Sequence, residues 1–186
     1  MKKKVFTAIF FLLFIVTKIY AQDNSLAFEK TNSTISAGYG FFNVWTNLLE
    51  VGQLKATATG PVTLTYEYGI TNKISAGLTV GYSDINGNGD AAGFTQQLTN
   101  YLIEAKASYH FYVSHKLDSY VGGGIGYYHF KYTDSYGDET QFILPSLLAL
   151  SIDVGAKYYF CDHFGICVEA GYVDGSIVKT ALTYKL

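Results

Sequence analysis

From residue 33 onward, apolar positions alternate with small or polar ones, segment after segment. Val62, Leu64, Tyr66, Tyr68 and Ile70 are interleaved with Thr63, Thr65, Glu67 and Gly69. Ile74, Ala76, Leu78, Val80 and Tyr82 are interleaved with Ser75, Gly77, Thr79 and Gly81. Tyr101, Ile103, Ala105, Ala107, Tyr109 and Phe111 face away from Leu102, Glu104, Lys106, Ser108 and His110. Leu148 to Phe160, Phe164 to Tyr172 and Val178 to Leu186 repeat the pattern. In the sixth to eighth segments Asp153, Lys157, Glu169 and Lys179 lie on the less apolar face. A period of two is that of a β-strand, whose successive side chains point to opposite faces. The first segment (Ile35, Ala37, Tyr39, Phe41) and the fifth (Tyr120, Tyr128, Phe130, Tyr132) alternate less cleanly, the fifth because Gly122-Gly123-Gly124 interrupts it. Eight strands are predicted.

Connections after the second, fourth and sixth strands are short, at 71–73, 113–118 and 161–163. Those after the first, third and fifth are longer, at 45–60, 84–98 and 133–141. Short turns at one end and long loops at the other describe an antiparallel up-and-down meander. Eight strands of it can close into a barrel, which removes the exposed edges.

Alternation does not say which face points outward. A soluble barrel would turn its apolar face inward, whereas a membrane barrel turns it to lipid. The less apolar face is too bland for water, offering only Ser, Gly and Thr along the third strand. The aromatics on the apolar face are also banded. Tyr66, Tyr68, Tyr109, Phe111, Tyr120, Tyr158, Phe160, Phe164 and Tyr184 fall at the short-turn end. Tyr39, Phe41, Tyr82, Tyr101, Tyr128, Phe130, Tyr132 and Tyr172 fall at the long-loop end, with Ala, Leu, Val and Ile between the bands. Two aromatic girdles around an aliphatic belt predict a transmembrane β-barrel over residues 33–186.

Composition agrees. The chain of 186 residues is 49% hydrophobic and only 15% charged, with 17 Tyr and 19 Gly, and all 13 of its positive charges are Lys. So many aromatics exclude a disordered chain, and a net charge of -2 without Arg argues against nucleic-acid binding. Lys2, Lys3 and Lys4, then an apolar run from Val5 to Val16 and a cut at Ala21-Gln22, read as a signal peptide over 1–21. Residues 22–32 form a polar leader. Losing Lys2, Lys3, Lys4 and Lys18 leaves nine lysines against 15 acids, so the mature chain is acidic, at about -6.

The girdled meander, the phrase GAKYYFCDHFGICVEAGY and the terminal TALTYKL resemble the eight-stranded outer-membrane barrels of the OmpX and OmpA transmembrane-domain type. The resemblance implies an outer-membrane location among lipid and lipopolysaccharide. It also implies a C-terminal signal, here Leu182, Tyr184 and Leu186, read by the assembly machinery. Leu186 stands where Phe is usual, and Thr180 interrupts the pattern.

Charges in a narrow lumen are costly unless paired. Glu67, Glu104, Lys106, Asp153, Lys157, Glu169 and Lys179 are therefore expected to form an ion-pair network. A turn at 161–163 puts Gly155 opposite Glu169, and Lys157 one diagonal step from Glu169. The resulting expectation is a plugged, non-enzymatic barrel that needs no cofactor and has a structural or surface-interaction role through its long loops. Those loops carry Trp45, Leu48, Leu49, Phe94, Tyr136 and Phe142.

Other constellations are less complete. Asp84, Asn86, Asn88 and Asp90 have the start of a calcium-loop spacing, but Thr95 stands where the closing Glu belongs. Cys161, His163 and Cys167 lack a fourth ligand for zinc. An oxidising compartment permits a disulfide, yet the register places Cys167 opposite Lys157, several rungs from Cys161. A lipid A-modifying enzyme would place His129 near Ser146 or Ser151 at the outer rim. Lys131 departs from the His-x-Ser pattern of lipid A deacylases. A narrow small-solute pore is the third reading.

Overall fold

Ile35, near the start of the first strand, stands opposite Tyr184, near the end of the last. That pairing closes the sheet. The computed structural model describes residues 25–46, 55–88, 95–134 and 147–186. Its strands are β1 (Ser33–Asn43), β2 (Lys55–Gly69), β3 (Ile74–Asn88), β4 (Thr95–Val113), β5 (Leu117–Asp134), β6 (Leu147–Tyr159), β7 (Phe164–Val173) and β8 (Ser176–Lys185). Each pairs antiparallel with its sequence neighbours, and β1 pairs with β8, giving a closed eight-stranded barrel. Every strand thus has two partners, and no ladder is left without hydrogen bonds, which a lipid environment demands.

The wall is inside out relative to a soluble protein. Leu78 and Val80 are 48% and 43% exposed, while Thr79 between them is fully buried. The outward side chains of the middle rungs are Leu64, Leu78, Val80, Ile103, Val154 and Val168. Tyr66, Tyr68, Tyr109, Phe111, Tyr158, Phe160, Phe164 and Tyr184 ring the short-turn end, and Tyr39, Phe41, Tyr82, Tyr101 and Tyr127 the long-loop end. Tyr172 is only half-exposed, because β7 bulges at Gly171 between Ala170 and Val173.

The fifth strand has the opposite parity to the one its aromatics suggested. Tyr120, Tyr128 and Phe130 are buried inside, and Val121, Ile125, Tyr127 and His129 face outward. Both faces of this strand carry aromatics, so the period alone was ambiguous. Its glycines decide the outcome. Gly122 and Gly124 leave room for the side chains of Asp153, Ser108, Glu104 and Ser151, which a Cβ there would crowd.

The interior is stratified. At the long-loop end Ile85, Leu98, Leu102, Tyr128, Phe130 and Ala149 form an apolar cluster, with Trp45 packed on it edge-to-face against Tyr128 and Phe130. Polar and charged side chains fill the middle. At the short-turn end the leader is not merely polar chain. Ala27 and Phe28 are buried, and the Ala27 N–H donates to Ser114 O and that of Thr31 to Gly69 O. Lys185 Nζ donates to Leu26 O and Ser25 Oγ, fixing the leader to β8.

Candidate functional site: the barrel interior

Inward positions of β2, β4, β5, β6, β7 and β8 carry the charges, because each lies an even number of residues from its strand's other inward positions, and Asp174 joins them from the turn between β7 and β8. They settle into two groups. In the upper one, Lys106 Nζ lies 3.0 Å from Asp153 Oδ2, 3.5 Å from Glu169 Oε1 and 4.0 Å from Asp174 Oδ1. Lys179 Nζ contacts Glu169 Oε2 and lies 2.6 Å from Asp174 Oδ2. In the lower one, Lys157 Nζ lies 2.7 Å from Glu67 Oε1 and 3.9 Å from Asp118 Oδ2.

Two expected relationships are replaced. Gly155 does stand opposite Glu169 and Cys167 opposite Lys157, but Lys157 turns to Glu67 across the lumen instead of to Glu169. Tyr120 stands between them. Its ring lies under Lys157 Nζ at 4.9 Å, and its hydroxyl donates to Glu169 Oε1 at 2.8 Å. Gly155 makes room for that ring, since a Cβ there would overlap it. Among the described residues Glu104 forms no ion pair with a lysine. Its Oε1 accepts the Ser151 hydroxyl at 2.6 Å.

Asp118, Asp174, His110 and Ser75 belong to the interior and were missed. His110 Nδ1 lies 2.7 Å from Asp118 Oδ1, and Nε2 lies 2.9 Å from Ser75 Oγ. The imidazole thus bridges the carboxyl on its Nδ1 side and the serine hydroxyl on its Nε2 side. The three residues come from β3, β4 and β5 and are all buried. A bulge shifts the β4–β5 register between His110 and Tyr112. Parity puts His110 and Ser75 on the inward face but does not show that they meet.

His129 and Ser151 do not meet at the outer rim. His129 is exposed on the lipid side near Tyr101, whereas Ser151 is inside on Glu104. Ser146 lies outside the described residues. Nor is 84–88 a loop, since these residues extend β3. The Asp84 carboxylate accepts from Gln97 Nε2 at 3.0 and 2.9 Å, Thr99 Oγ1 at 3.3 Å and Asn86 Nδ2 at 3.4 Å. Pairing with β4 supplies Asp84 with these partners. Asp90 lies outside the described residues. Both cysteines are free, and Cys167 is buried beside the Tyr120 hydroxyl.

Wall and interior agree with what comparison with known proteins finds. The outer membrane protein beta-barrel domain family matches residues 9–185. The chain belongs to this family. Among solved structures the barrel is similar to Outer Membrane Protein W of E. coli, with a TM-score of 0.53 at 16% identity, covering 85% of this chain and 99% of that one. It is also similar to OprG of Pseudomonas aeruginosa, with a TM-score of 0.46 at 14% identity, covering 84% and 90%. A third is Ail, the attachment invasion locus protein of Yersinia pestis, solved with the heparin analogue sucrose octasulfate. Its TM-score is 0.47 at 15% identity, covering 84% and 99%. No curated protein matches the chain. As a member of the outer-membrane barrel family this protein resides in the outer membrane.

Proposed function

We propose that this outer-membrane barrel is non-enzymatic and plugged, and that it serves the cell surface through its long loops. The contents of the lumen carry the reading. The cavity bounded by Ser36, Thr65, Glu67, Tyr120, Lys157 and Lys179 has a volume of about 20 Å³, room for about one water. Trp45 and its apolar neighbours cover the outer end, and the leader covers the inner one. In this reading residues 1–21 are a cleaved signal peptide, and the assembly machinery reads Leu182, Tyr184 and Leu186. The connections between strands within 45–60, 84–98 and 133–141 meet lipopolysaccharide or a surface ligand. The residues outside the strands in these segments lie largely beyond those described. Reconstitution into planar bilayers tests the plug. Absence of discrete conductance steps is expected, and steps that persist in the intact chain would select the small-solute pore. Pull-down with the refolded barrel, with and without its loops, tests the surface role.

One observation favours a second reading, a serine hydrolase acting on lipid esters. Ser75, His110 and Asp118 have the hydrogen-bond distances of a Ser-His-Asp triad. Opposing it, Ser75 is buried and Phe28 covers the imidazole. Labelling of Ser75 by a fluorophosphonate probe, lost in His110→Ala, would select the hydrolase. An unlabelled barrel selects the non-enzymatic role, in which the three residues tie β3, β4 and β5 together.

A further inference from the structure

The lipid face of the wall is not uniform. Ala107 on β4 and Gly123 on β5 stand opposite each other, and both point outward with Tyr109 and Val121 of the neighbouring rung. Ile152 on β6 stands beside Gly123 and also faces outward. Between these bulky neighbours the two small residues leave an open groove of about 720 Å³, with Ile74 of β3 at its edge. The interior does not require the glycine. A Cβ at Gly123 would meet only the Ser151 carbonyl oxygen, at 3.2 Å, whereas at Gly122 and Gly124 it would crowd inward side chains. Groove walls left without a partner forfeit dispersion contacts, and what surrounds the apolar face of a membrane barrel is acyl chain.

The end of the groove nearest the short turns is basic. Lys73 directly precedes Ile74, and its carbonyl accepts the His110 N–H, next to Tyr109. Lys116 directly precedes β5, and its carbonyl accepts the Tyr159 N–H of β6. The Lys30 N–H donates to Asn72 Oδ1, which brings a third lysine to the turn before β3. All three lysines are exposed, and no carboxylate among the described residues forms an ion pair with them. Of the acids at this end, Glu29 takes the Leu26 N–H, and Asp162 lies on the turn between β6 and β7. The chain as a whole carries a net charge of -2, so this rim runs against its overall sign. An apolar groove under a cationic rim, in a wall that faces lipid, matches the two-part chemistry of an anionic lipid.

We propose that the groove binds one glycerophospholipid of net negative headgroup from the leaflet at the short-turn end. One acyl chain lies along Ala107 and Gly123, between Tyr109, Val121 and Ile152. Lys73 and Lys116 reach the phosphate, their methylene stems lying along the apolar wall and their ammonium groups in the headgroup zone. Lys30 adds to the local field. A zwitterionic lipid offers the same chain but no net charge to the rim, so the site selects by headgroup. Groove and rim lie outside the lumen and away from the long loops, so the site is independent of the plug and of any surface ligand.

The test uses the full barrel folded into vesicles of equal parts phosphatidylglycerol and phosphatidylcholine with identical chains, then moved to mild detergent for native mass spectrometry. One retained phosphatidylglycerol per barrel is expected, in preference to phosphatidylcholine. The double variant Lys73→Gln, Lys116→Gln should lower its retention at least about fivefold, the fold-change for one basic residue beside an anionic bilayer surface. Ala107→Leu, which projects from the wall into the groove, should lower retention of both lipids. Heat-modifiable gel migration checks that each variant folds, and Gly123→Ala takes the place of Ala107→Leu if that variant does not. Lys131→Gln, at the long-loop end, should retain phosphatidylglycerol as the parent does. Equal retention of the two lipids by the parent overturns the proposal, as does unchanged retention in the double variant or in the folded groove variant. So does a loss in Lys131→Gln as large as in the double variant, since the charge then acts without a site. Displacement of the lipid by free glycerol phosphate overturns it too, because the acyl chain then contributes nothing.

Discussion

The ring of Phe28 lies flat on the imidazole of His110, with centroids 3.5 Å apart and planes 4° from parallel. This contact joins a residue before the first strand to the end of the fourth. It makes the leader part of the floor at the short-turn end, as do the backbone bonds to Ser114 and Gly69. The imidazole is in turn held edge-on by Asp118 and Ser75. Aromatic stacking adds roughly 0.5–1.5 kcal/mol to what burial contributes.

Phe28→Ala should therefore lower barrel stability by about 3 kcal/mol, the lower end for a buried Phe, since one face of the ring supplies much of the contact. Urea unfolding followed by fluorescence of Trp45, the single tryptophan, measures it. Bilayer conductance should stay flat, because the ion-paired middle and the apolar outer cluster remain.

Lys106 answers three carboxylates at 4.0 Å or less. Lys106→Met should destabilise the barrel by about 3–5 kcal/mol, the cost of leaving buried charges without their partner. Adding Asp153→Asn should recover part of the loss. A double-mutant cycle in urea gives the coupling, and a coupling near zero would show that the two side chains do not interact.

Tyr120 faces inward over Gly155. Gly155→Val should prevent the heat-modifiable folded band from forming, because the new side chain occupies the space of the ring. Tyr120→Ala should restore folding to Gly155→Val, while Tyr120→Phe should not. If Gly155→Val folds normally, the parity of β5 described above is wrong.

Val80 projects into the aliphatic belt and Thr79 into the interior. Val80→Arg should cost about 2–4 kcal/mol, as for a cation near the bilayer midplane on the lipid face. The loss should shrink for an Arg placed at Tyr82 in the girdle, nearer the headgroups. Folding titrations into vesicles of phosphatidylcholine measure both.

Much of the wall was legible in the chain. Leu78 and Val80 against Thr79 carry a two-residue period, and the sparse charge says that the apolar side meets lipid. Tyr82 and Tyr101 mark one interface, and Tyr66 and Tyr158 the other. The interior was legible as a set of residues but not as a set of pairs. Lys157 was placed next to Glu169 by local register, but the partner it takes is Glu67, ninety residues away in sequence.

Strand number, strand direction and the lipid face thus follow from the sequence, because they depend on neighbours along one strand and across one turn. The parity of β5, the two ionic groups, the Ser75–His110–Asp118 chain and the seat of Phe28 were decided by the closed barrel. Each depends on which inward side chains meet across the lumen. Closure and bulges set that arrangement, and alternation within a strand carries no record of it.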